Sequence, residues 1–367
     1  MSVEELAEIS RHYGADSDYV IAGGGNTSFK DGDTMYVKAS GAALADASAG
    51  AFVRVGRRAL DKIWDRQYSA DSEAREREVL ADLMAARLPG EEAKRPSVET
   101  TLHGLLPFAF VVHLHPALVN GVTCSRQGQA AAERLFPQAV WIPSINPGYI
   151  LALEVKKALA EFKTRTGGEA QVIFLQNHGV FVGADSAGEI RKIYEEMIGR
   201  LQNEVKRKPD FSGGGAEGSG GSAEVLQVLA QLAGGAAFVR NREVARLVES
   251  EASFAPVASA FTPDHIVYAG SDPLFTAAGT KEGIELAWKA HIEKTGRPAK
   301  IVAVQGLGVF GAGTSEKAAG LALELFLDSV KVAVFSESFG GGLFMTRDKI
   351  DFINNWEVEA FRTKVSI

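Results

Sequence analysis

The chain has 367 residues, of which 46% are hydrophobic and 23% charged, a composition typical of a globular protein long enough for two domains. The net charge of −7 argues against a general nucleic-acid-binding protein, and no apolar run approaches a membrane span. The single cysteine, Cys124, excludes an intrachain disulfide and a cysteine-rich zinc site. Because the acidic, helix-like N-terminus does not resemble a signal peptide, we expect a cytoplasmic protein.

A glycine-rich loop follows the first predicted helix, over 3–13. It comprises residues 23–28, Gly-Gly-Gly-Asn-Thr-Ser. Glycines let the backbone approach a ligand closely, and the exposed N–H groups of such a loop suit phosphate oxygens. Asn26, Thr27 and Ser28 add side-chain donors. The alternative is a simple hairpin turn, because the loop matches neither the P-loop spacing nor the dinucleotide fingerprint.

The next predicted strand, over 34–38, ends in a second candidate anion-binding segment. Lys38, Ser40 and the Gly41 amide are candidates for the second wall of an anion site. The alternative is an exposed lysine followed by an ordinary strand-end turn. Two helices are then predicted, over 57–67 and 72–88.

A helix start precedes the most apolar strand of the first half. Ser97 is a suitable N-cap, which would place Glu99 in the first helical turn, where the helix dipole favours a carboxylate. The functional interpretation of Glu99 is a general acid/base, or a carboxylate that faces a metal. His103 lies within the same helix, and we interpret it as structural.

The apolar run 110–115 is predicted to be a buried strand, and it ends in His-Leu-His. Successive side chains on a strand point to opposite faces, so His113 and His115 share one face. Two imidazoles placed in this way can chelate one divalent ion, and imidazole suits zinc. The alternative is a pair of hydrogen-bonded histidines near the surface.

Two further candidates follow. Tyr149, at the start of a helix predicted over 150–166, is a candidate proton donor. The strand signal at 172–175 runs into a turn that carries His178, which suits a third metal ligand. Three histidines leave one position open for water or substrate, as in catalytic zinc sites. Another helix is predicted over 186–205.

The clearest predicted boundary is the Gly/Ser-rich segment 212–222, which is typical of a flexible linker. It separates a predicted metal-binding domain, 1–211, from a smaller α/β domain, 223–367. We therefore expect two domains of unequal size.

The second half has the pattern of a degenerate copy of the first. Residues 301–310 are similar to residues 172–181, with Leu307 in the position of His178. The second half contains no His-x-His, so we expect one metal site per chain, in the first half. The alternative is convergence of two strand–turn–strand patterns.

Taken together, the motifs resemble the class II aldolase/adducin family over about residues 5–205. The segments that carry the resemblance are Gly25-Asn26-Thr27-Ser28, Lys38-Ala39-Ser40-Gly41, Ser97-Val98-Glu99, His113-Leu114-His115 and Asn177-His178-Gly179. The closest resemblance is to the aldolase portion of bacterial proteins that fuse a rhamnulose-1-phosphate-aldolase-like region to a short-chain dehydrogenase. The chain has no complete dinucleotide-binding domain, so no NAD is expected.

The resemblance implies an α/β sandwich around a mainly antiparallel sheet, followed by a second, degenerate aldolase-like α/β region. It implies one divalent metal ion, with zinc expected, bound by His113, His115 and His178. It makes Glu99 the proton shuttle, and Tyr149 loosely matches a catalytic tyrosine of some members. The positions matched to phosphate binding are Gly25, Asn26, Ser40, Gly41 and Ser97, with Thr27 and Lys38 as further substrate-binding candidates.

The activity implied is that of a metal-dependent aldolase cleaving a ketose 1-phosphate, of the rhamnulose- or fuculose-phosphate type, to dihydroxyacetone phosphate and an aldehyde. In such aldolases the metal is a Lewis acid that stabilises the enediolate. The alternatives are a sugar-phosphate epimerase, a methylthioribulose-phosphate-type dehydratase, or a non-catalytic adducin-like binding protein. The epimerases usually carry aspartate where this chain has Glu99, the dehydratases keep glutamate, and the presence of all three histidines disfavours the adducin-like alternative. The expected partners are a small sugar phosphate and further copies of the chain in a homo-oligomer.

Overall fold

A computed structural model describes residues 2–213 and 220–356. The described residues fall into two compact units. The first comprises mainly 2–123 and 127–204, and the second 124–126 and 205–354. No helix within the described residues combines the length and the apolar character needed to cross a membrane.

The observed division near residue 204 lies before the predicted linker, 212–222. Residues 214–219 of that linker lie outside the described residues, as does 357–367 at the end of the predicted second domain. Residues 220–222 belong to a helix, because these two glycines and one serine are followed directly by an apolar helical sequence.

The first unit is built on a seven-stranded sheet. Its strands are β1 (Asn26–Asp31), β2 (Thr34–Lys38), β3 (Phe52–Gly56), β4 (Phe110–Leu114), β5 (Val140–Ile142), β6 (Val172–Leu175) and β7 (Gly179–Ala184). The strand order is β3-β2-β1-β4-β7-β6-β5. Neighbouring strands are antiparallel except β5 and β6, so the predicted mainly antiparallel sheet is confirmed.

Helices cover this sheet. They are α1 (Val3–Gly14), α2 (Arg57–Asp61), α3 (Ser72–Ala85), α4 (Thr100–Leu105), α5 (Ala117–Thr123), α6 (Gly128–Leu135), α7 (Tyr149–Thr166) and α8 (Ala187–Glu204). One apolar cluster packs α4 and α7 against β5, β6 and β7, and another packs α2 and α3 against β2 and β3. The helix α1 begins at a capping box formed by Ser2 and Glu5.

The centre of the sheet positions the histidine strand. Every residue of β4 is buried, because β1 and β7 pair with it on both sides. The register sets His113 opposite Asn26 on β1 and opposite Phe181 on β7. Sequence analysis placed residues 26–28 in a loop, whereas they begin β1, since antiparallel pairing with β2 and β4 draws them into the sheet.

The second unit contains a four-stranded sheet with the order β8-β11-β10-β9. Its strands are β8 (Gly235–Val239), β9 (Leu274–Thr276), β10 (Ile301–Val304) and β11 (Gly308–Gly313). Its helices are α9 (Gly220–Ala233), α10 (Arg242–Leu247), α11 (Glu251–Phe254), α12 (Lys281–Thr295), α13 (Glu316–Ser336) and α14 (Arg347–Asn355).

The strand order and directions of this sheet match part of the first sheet. In each unit, four consecutive strands pair in the same way. The first of the four pairs antiparallel with the fourth, the fourth antiparallel with the third, and the third parallel with the second. The matched strands are β4 to β7 in the first unit and β8 to β11 in the second.

Candidate active site

Three histidines converge at the end of β4. His113 lies within β4, His115 follows the strand, and His178 lies in the turn between β6 and β7. One ligand nitrogen from each histidine lies within 4.8 Å of the other two. The alternation of an extended chain turns His113 and His115 to one side, and the pairing of β4 with β7 brings the turn alongside. The three predicted ligands therefore surround one point.

His113 is held with a single ring nitrogen facing this point. Its Nδ1 lies 3.0 Å from the carbonyl oxygen of Val180 and donates to it, so the Nε2 lone pair faces the other histidines. Burial lowers the pKa of His113 well below its ordinary value, which keeps the ring neutral. The ring stacks on Phe181, with centroids 3.9 Å apart. The Nε2 atom of His115 lies 2.9 Å from that of His113.

Glu99 directs a carboxylate oxygen at the histidines. Its Oε1 lies 3.5 Å from Nε2 of His113 and 3.5 Å from Nε2 of His178. Its Oε2 accepts a hydrogen bond of 2.6 Å from Asn26 Nδ2. Burial acts to raise the pKa of this carboxyl, whereas positive charge at the neighbouring histidines and the Asn26 donor act to lower it, and the lowering is the larger effect.

The arrangement fits a divalent metal ion. Glu99 Oε1 is buried and has no hydrogen-bond partner among the described residues. A carboxylate oxygen and a neutral imidazole nitrogen, both acceptors and 3.5 Å apart, are unfavourable neighbours in a buried site unless a cation lies close to both. Three imidazoles with a further position open is also the donor set of catalytic zinc sites.

Asn26 connects the start of β1 to the start of α4. Its Nδ2 group donates to Glu99 Oε2 and, over 3.2 Å, to Ser97 Oγ. Its Oδ1 accepts a hydrogen bond from His103 Nε2, and His103 Nδ1 lies 2.8 Å from Ser28 Oγ. The polar atoms of the Asn26 side chain are thus occupied within the protein. Sequence analysis assigned Asn26 to the substrate, whereas here its side chain holds Glu99.

His103 is a member of this network that sequence analysis interpreted only as structural. The signal that would have found it is spacing: Glu99 and His103 are four residues apart at the start of a helix, and such residues share a face. His103 is also fully buried, and a buried imidazole requires hydrogen-bond partners.

The two predicted anion-binding segments lie close to the same network. Gly25 has a φ of +60°, and a Cβ there would lie 2.9 Å from the carbonyl oxygen of His113, so the loop passes against β4. The Ser40 amide donates to the Arg95 carbonyl oxygen over 2.8 Å, which sets Ser40 beside the segment that leads to Ser97. Gly41 has a φ of +83°, a left-handed conformation that favours glycine.

The Lys38 side chain is buried between the two predicted anion-binding segments. Its ammonium donates to the carbonyl oxygens of Gly23 at 3.0 Å and Ala42 at 2.6 Å. It therefore ties the glycine-rich loop to the loop after β2. The amide of Ser97 also donates to the Lys38 carbonyl oxygen, over 3.1 Å.

Two predicted site residues are not brought to the histidines. Thr27 points to the other face of β1, where its hydroxyl lies 2.7 Å from that of Ser10 on α1, because side chains alternate along a strand. Tyr149 packs in the apolar cluster under β2 and β3, with its ring against Trp64 and Tyr68. No described contact joins Tyr149 to the histidines, since its position at the start of α7 turns it towards that cluster.

Gly179 allows the turn after β6 to approach β4 closely. A Cβ at Gly179 would lie 2.5 Å from the Leu114 carbonyl oxygen and 2.6 Å from Cδ2 of His115. We expect Gly179→Ala to destabilise the protein by about 1–3 kcal/mol and to weaken metal binding, since the histidines must move apart. Thermal unfolding and metal titration measure the two effects.

Gly199→Ala, at an open position on α8, is the matched control. It should keep the metal affinity and raise stability slightly, because alanine is favoured over glycine in a helix by about 0.5–1 kcal/mol. An unchanged metal affinity in Gly179→Ala would contradict the importance of the close approach.

Comparison with known proteins identifies the family. The model of the class II aldolase and adducin N-terminal domain matches residues 4–202, and the chain belongs to that family. The chain is also 27% identical, over 210 residues, to the uncharacterized oxidoreductase YuxG of Bacillus subtilis. That match covers 54% of this chain but only 28% of YuxG, so the chain matches well under two thirds of that relative.

Solved structures resemble slightly more than half of the chain. The N-terminal class II aldolase domain of a conserved Thermoplasma acidophilum protein is 27% identical, with a TM-score of 0.47, and the match covers 55% of this chain and 93% of that one. The L-fuculose-1-phosphate aldolase of Thermus thermophilus is 17% identical, with a TM-score of 0.35, over 54% of this chain and 92% of that one.

Proposed function

We propose that the chain is a metal-dependent aldolase that cleaves a ketose 1-phosphate, of the rhamnulose- or fuculose-phosphate type, to dihydroxyacetone phosphate and an aldehyde. The observation that carries the proposal is the position of Glu99 Oε1, buried and 3.5 Å from Nε2 of both His113 and His178. Membership of the class II aldolase and adducin family supports it. A carboxylate beside three imidazoles is suited to moving a proton next to a bound metal.

His113, His115 and His178 would hold the ion, and zinc is expected because imidazole suits it. A divalent ion bound there would act as a Lewis acid on the carbonyl oxygen of the substrate. As the C3–C4 bond breaks, Glu99 Oε1 would take the proton of the C4 hydroxyl, which leaves the aldehyde, and would then return it to C3 of dihydroxyacetone phosphate, while Asn26 keeps Oε2 fixed.

The phosphate would bind at Ser40, Gly41 and Ser97, beside the Gly25 loop. The Ser40 hydroxyl donates to no described residue, so its donor is available to a ligand. The Ser97 hydroxyl oxygen accepts from Asn26 and from the Glu99 amide, which leaves its own hydrogen to donate. Lys38 would contribute a buried positive charge beneath the phosphate while bracing the loops.

The test is a screen of ketose 1-phosphates, including rhamnulose 1-phosphate and fuculose 1-phosphate, for release of dihydroxyacetone phosphate. Metal content is measured in parallel on protein purified without chelator. We expect product release by the metal-bound protein, its loss after chelation, and its return with zinc.

The same screen distinguishes the aldolase from the dehydratase alternative. Methylthioribulose 1-phosphate is included with an assay for loss of water, because the family dehydratases keep a glutamate at the position of Glu99. Water loss without carbon–carbon cleavage would favour the dehydratase. Absence of product from every ketose 1-phosphate, with metal bound, would overturn the aldolase proposal.

We also propose that the second unit is a degenerate repeat of the strands that carry the metal site. Support comes from the shared strand order and from the β-turns: the amide of His178 donates to Leu175 O at 3.1 Å, and that of Leu307 to Val304 O at 3.0 Å. The residue before each has a left-handed φ, +59° at Asn177 and +70° at Gly306. The ligand is therefore replaced on an otherwise similar turn.

The positions that correspond to the other two ligands are also changed. Phe238 pairs with Phe310 in the register at which His113 pairs with Phe181. Arg240 then corresponds to His115, and its guanidinium donates to the carbonyl oxygen of Gly306, across the turn. We accordingly propose one metal per chain. We further propose, on the short match to the much longer YuxG, that the chain is related to the aldolase portion of aldolase–dehydrogenase fusion proteins.

A further inference from the structure

His103 is the innermost residue of the network behind Glu99. It is fully buried on α4, and both of its ring nitrogens have partners on β1: Nδ1 faces Ser28 Oγ at 2.8 Å, and Nε2 faces Asn26 Oδ1. Asn26 and Ser28 share one face of the strand because they are two residues apart. Strand β1 thus contributes Asn26 and Ser28 to the network, and Glu99 and His103 come from the N-cap and the body of α4.

The hydrogen positions in this network follow from the orientation of the Asn26 amide. Asn26 Nδ2 lies 2.6 Å from Glu99 Oε2 and 3.2 Å from Ser97 Oγ, so the amide nitrogen of Asn26 faces Glu99 and Ser97 and donates to both. Asn26 Oδ1 therefore faces His103 and requires a donor from it, which places the ring proton on Nε2.

The single proton of the neutral His103 ring fixes the direction of the remaining hydrogen bonds. Burial, assisted by the nearby Lys30 charge, lowers the pKa of His103 to about 3, so the ring carries a single proton. Nδ1 is then an acceptor and Ser28 Oγ–H donates to it. All the donors point one way, from Ser28 through His103 and Asn26 to Glu99.

We propose that His103 is a positioning residue: its Nε2–H bond fixes the Asn26 amide, which fixes Glu99 Oε2 and so aims Oε1 at the histidines. The kinetic part of this inference rests on the proposed function of Glu99, whereas the protonation pattern does not. Without the Nε2 donor, the Asn26 amide can rotate, and Glu99 loses the bond that sets its orientation.

Two amide variants of His103 test the chain of donors. In His103→Gln the side-chain nitrogen reaches the place of Nε2 and can donate to Asn26, whereas in His103→Asn the shorter amide reaches only towards Ser28. We expect kcat of His103→Asn to fall by about 10²-fold, the loss typical of a reacting group displaced by about 1 Å, with KM little changed. We expect His103→Gln to recover most of that loss.

Stability and metal content provide the control. Both variants remove the same buried ring, and thermal unfolding and metal analysis are measured for each. If His103 were only structural, both variants would lose activity in proportion to their stability, and glutamine would not rescue it. Equal loss of kcat in the two variants, with metal bound and the fold intact, would overturn the proposal.

Nitrogen-15 NMR of the His103 ring in the wild-type protein gives a readout that needs no substrate. We expect the signal of a protonated Nε2 and an unprotonated Nδ1. A protonated Nδ1 would overturn the proposed order of donors from Ser28 to Glu99, whatever the activity. If no ketose 1-phosphate is turned over by the wild-type protein, the proposed function fails. The NMR result alone then decides whether His103 donates to Asn26 through Nε2.

Discussion

Replacing Glu99 with glutamine is expected to lower kcat by about 10²- to 10⁴-fold, the range typical of losing a general acid/base, while the metal stays bound. The three imidazoles are unchanged in this variant, and Asn26 can still donate to the side-chain oxygen of glutamine. The amide cannot take up a proton as the carboxylate does. Turnover of the identified ketose phosphate and metal content per chain are the two measurements.

Glu92→Gln is the control, because Glu92 is an exposed carboxylate remote from the histidines in the described contacts. It should leave both quantities unchanged. Unchanged kcat in Glu99→Gln would remove Glu99 from the proton-transfer role. Loss of metal from that variant would instead make the carboxylate part of the metal-binding set.

Replacing His178 with glutamine is expected to weaken metal binding by at least about 100-fold and to abolish turnover. Even changes to the outer partners of metal ligands cost about 10- to 100-fold in affinity, and this change removes a ligand itself. The fold should survive, because the backbone N–H of residue 178 still donates to the Leu175 carbonyl oxygen, just as that of Leu307 donates to Val304 in the second unit. Metal titration followed by thermal unfolding of the chelated protein tests both statements.

His12→Gln is the control for general effects of removing an imidazole. His12 is exposed on α1, and this substitution should alter neither metal affinity nor turnover. Tight metal binding by His178→Gln, equal to that of the wild type, would show that the ion is held elsewhere.

Local sequence patterns predicted much of the secondary structure. The strands at 34–38 and 172–175 were predicted with the bounds found, and the helix predicted over 150–166 spans Tyr149–Thr166. These segments have the periodicity and propensity of their elements within a few residues, so distant contacts only reinforce them. The histidine set was predictable for the same reason, since a two-residue spacing on a strand fixes a shared face.

Two predicted site residues lie away from the histidines, and contacts distant in sequence decide both positions. Thr27 was placed with the substrate because it follows glycines, but pairing of β1 with β2 and β4 fixes the alternation and turns its hydroxyl to Ser10. Tyr149 sits at a helix start next to a loop, yet its ring lies against Trp64 and Tyr68, more than 80 residues earlier in the chain. No local pattern contains these contacts.

Each unit contains a turn of the same geometry, and this similarity bears on the stability of the metal-free protein. Because the turn that carries Leu307 forms the same hydrogen bond without a histidine, we expect the turn that carries His178 to form without a metal. Unlike a zinc finger, for which demetallation and unfolding are one event, this chain is expected to keep its fold when the proposed ion is removed. If the proposed site is correct, removal of the ion would leave folded protein that regains the ion when the metal is supplied again.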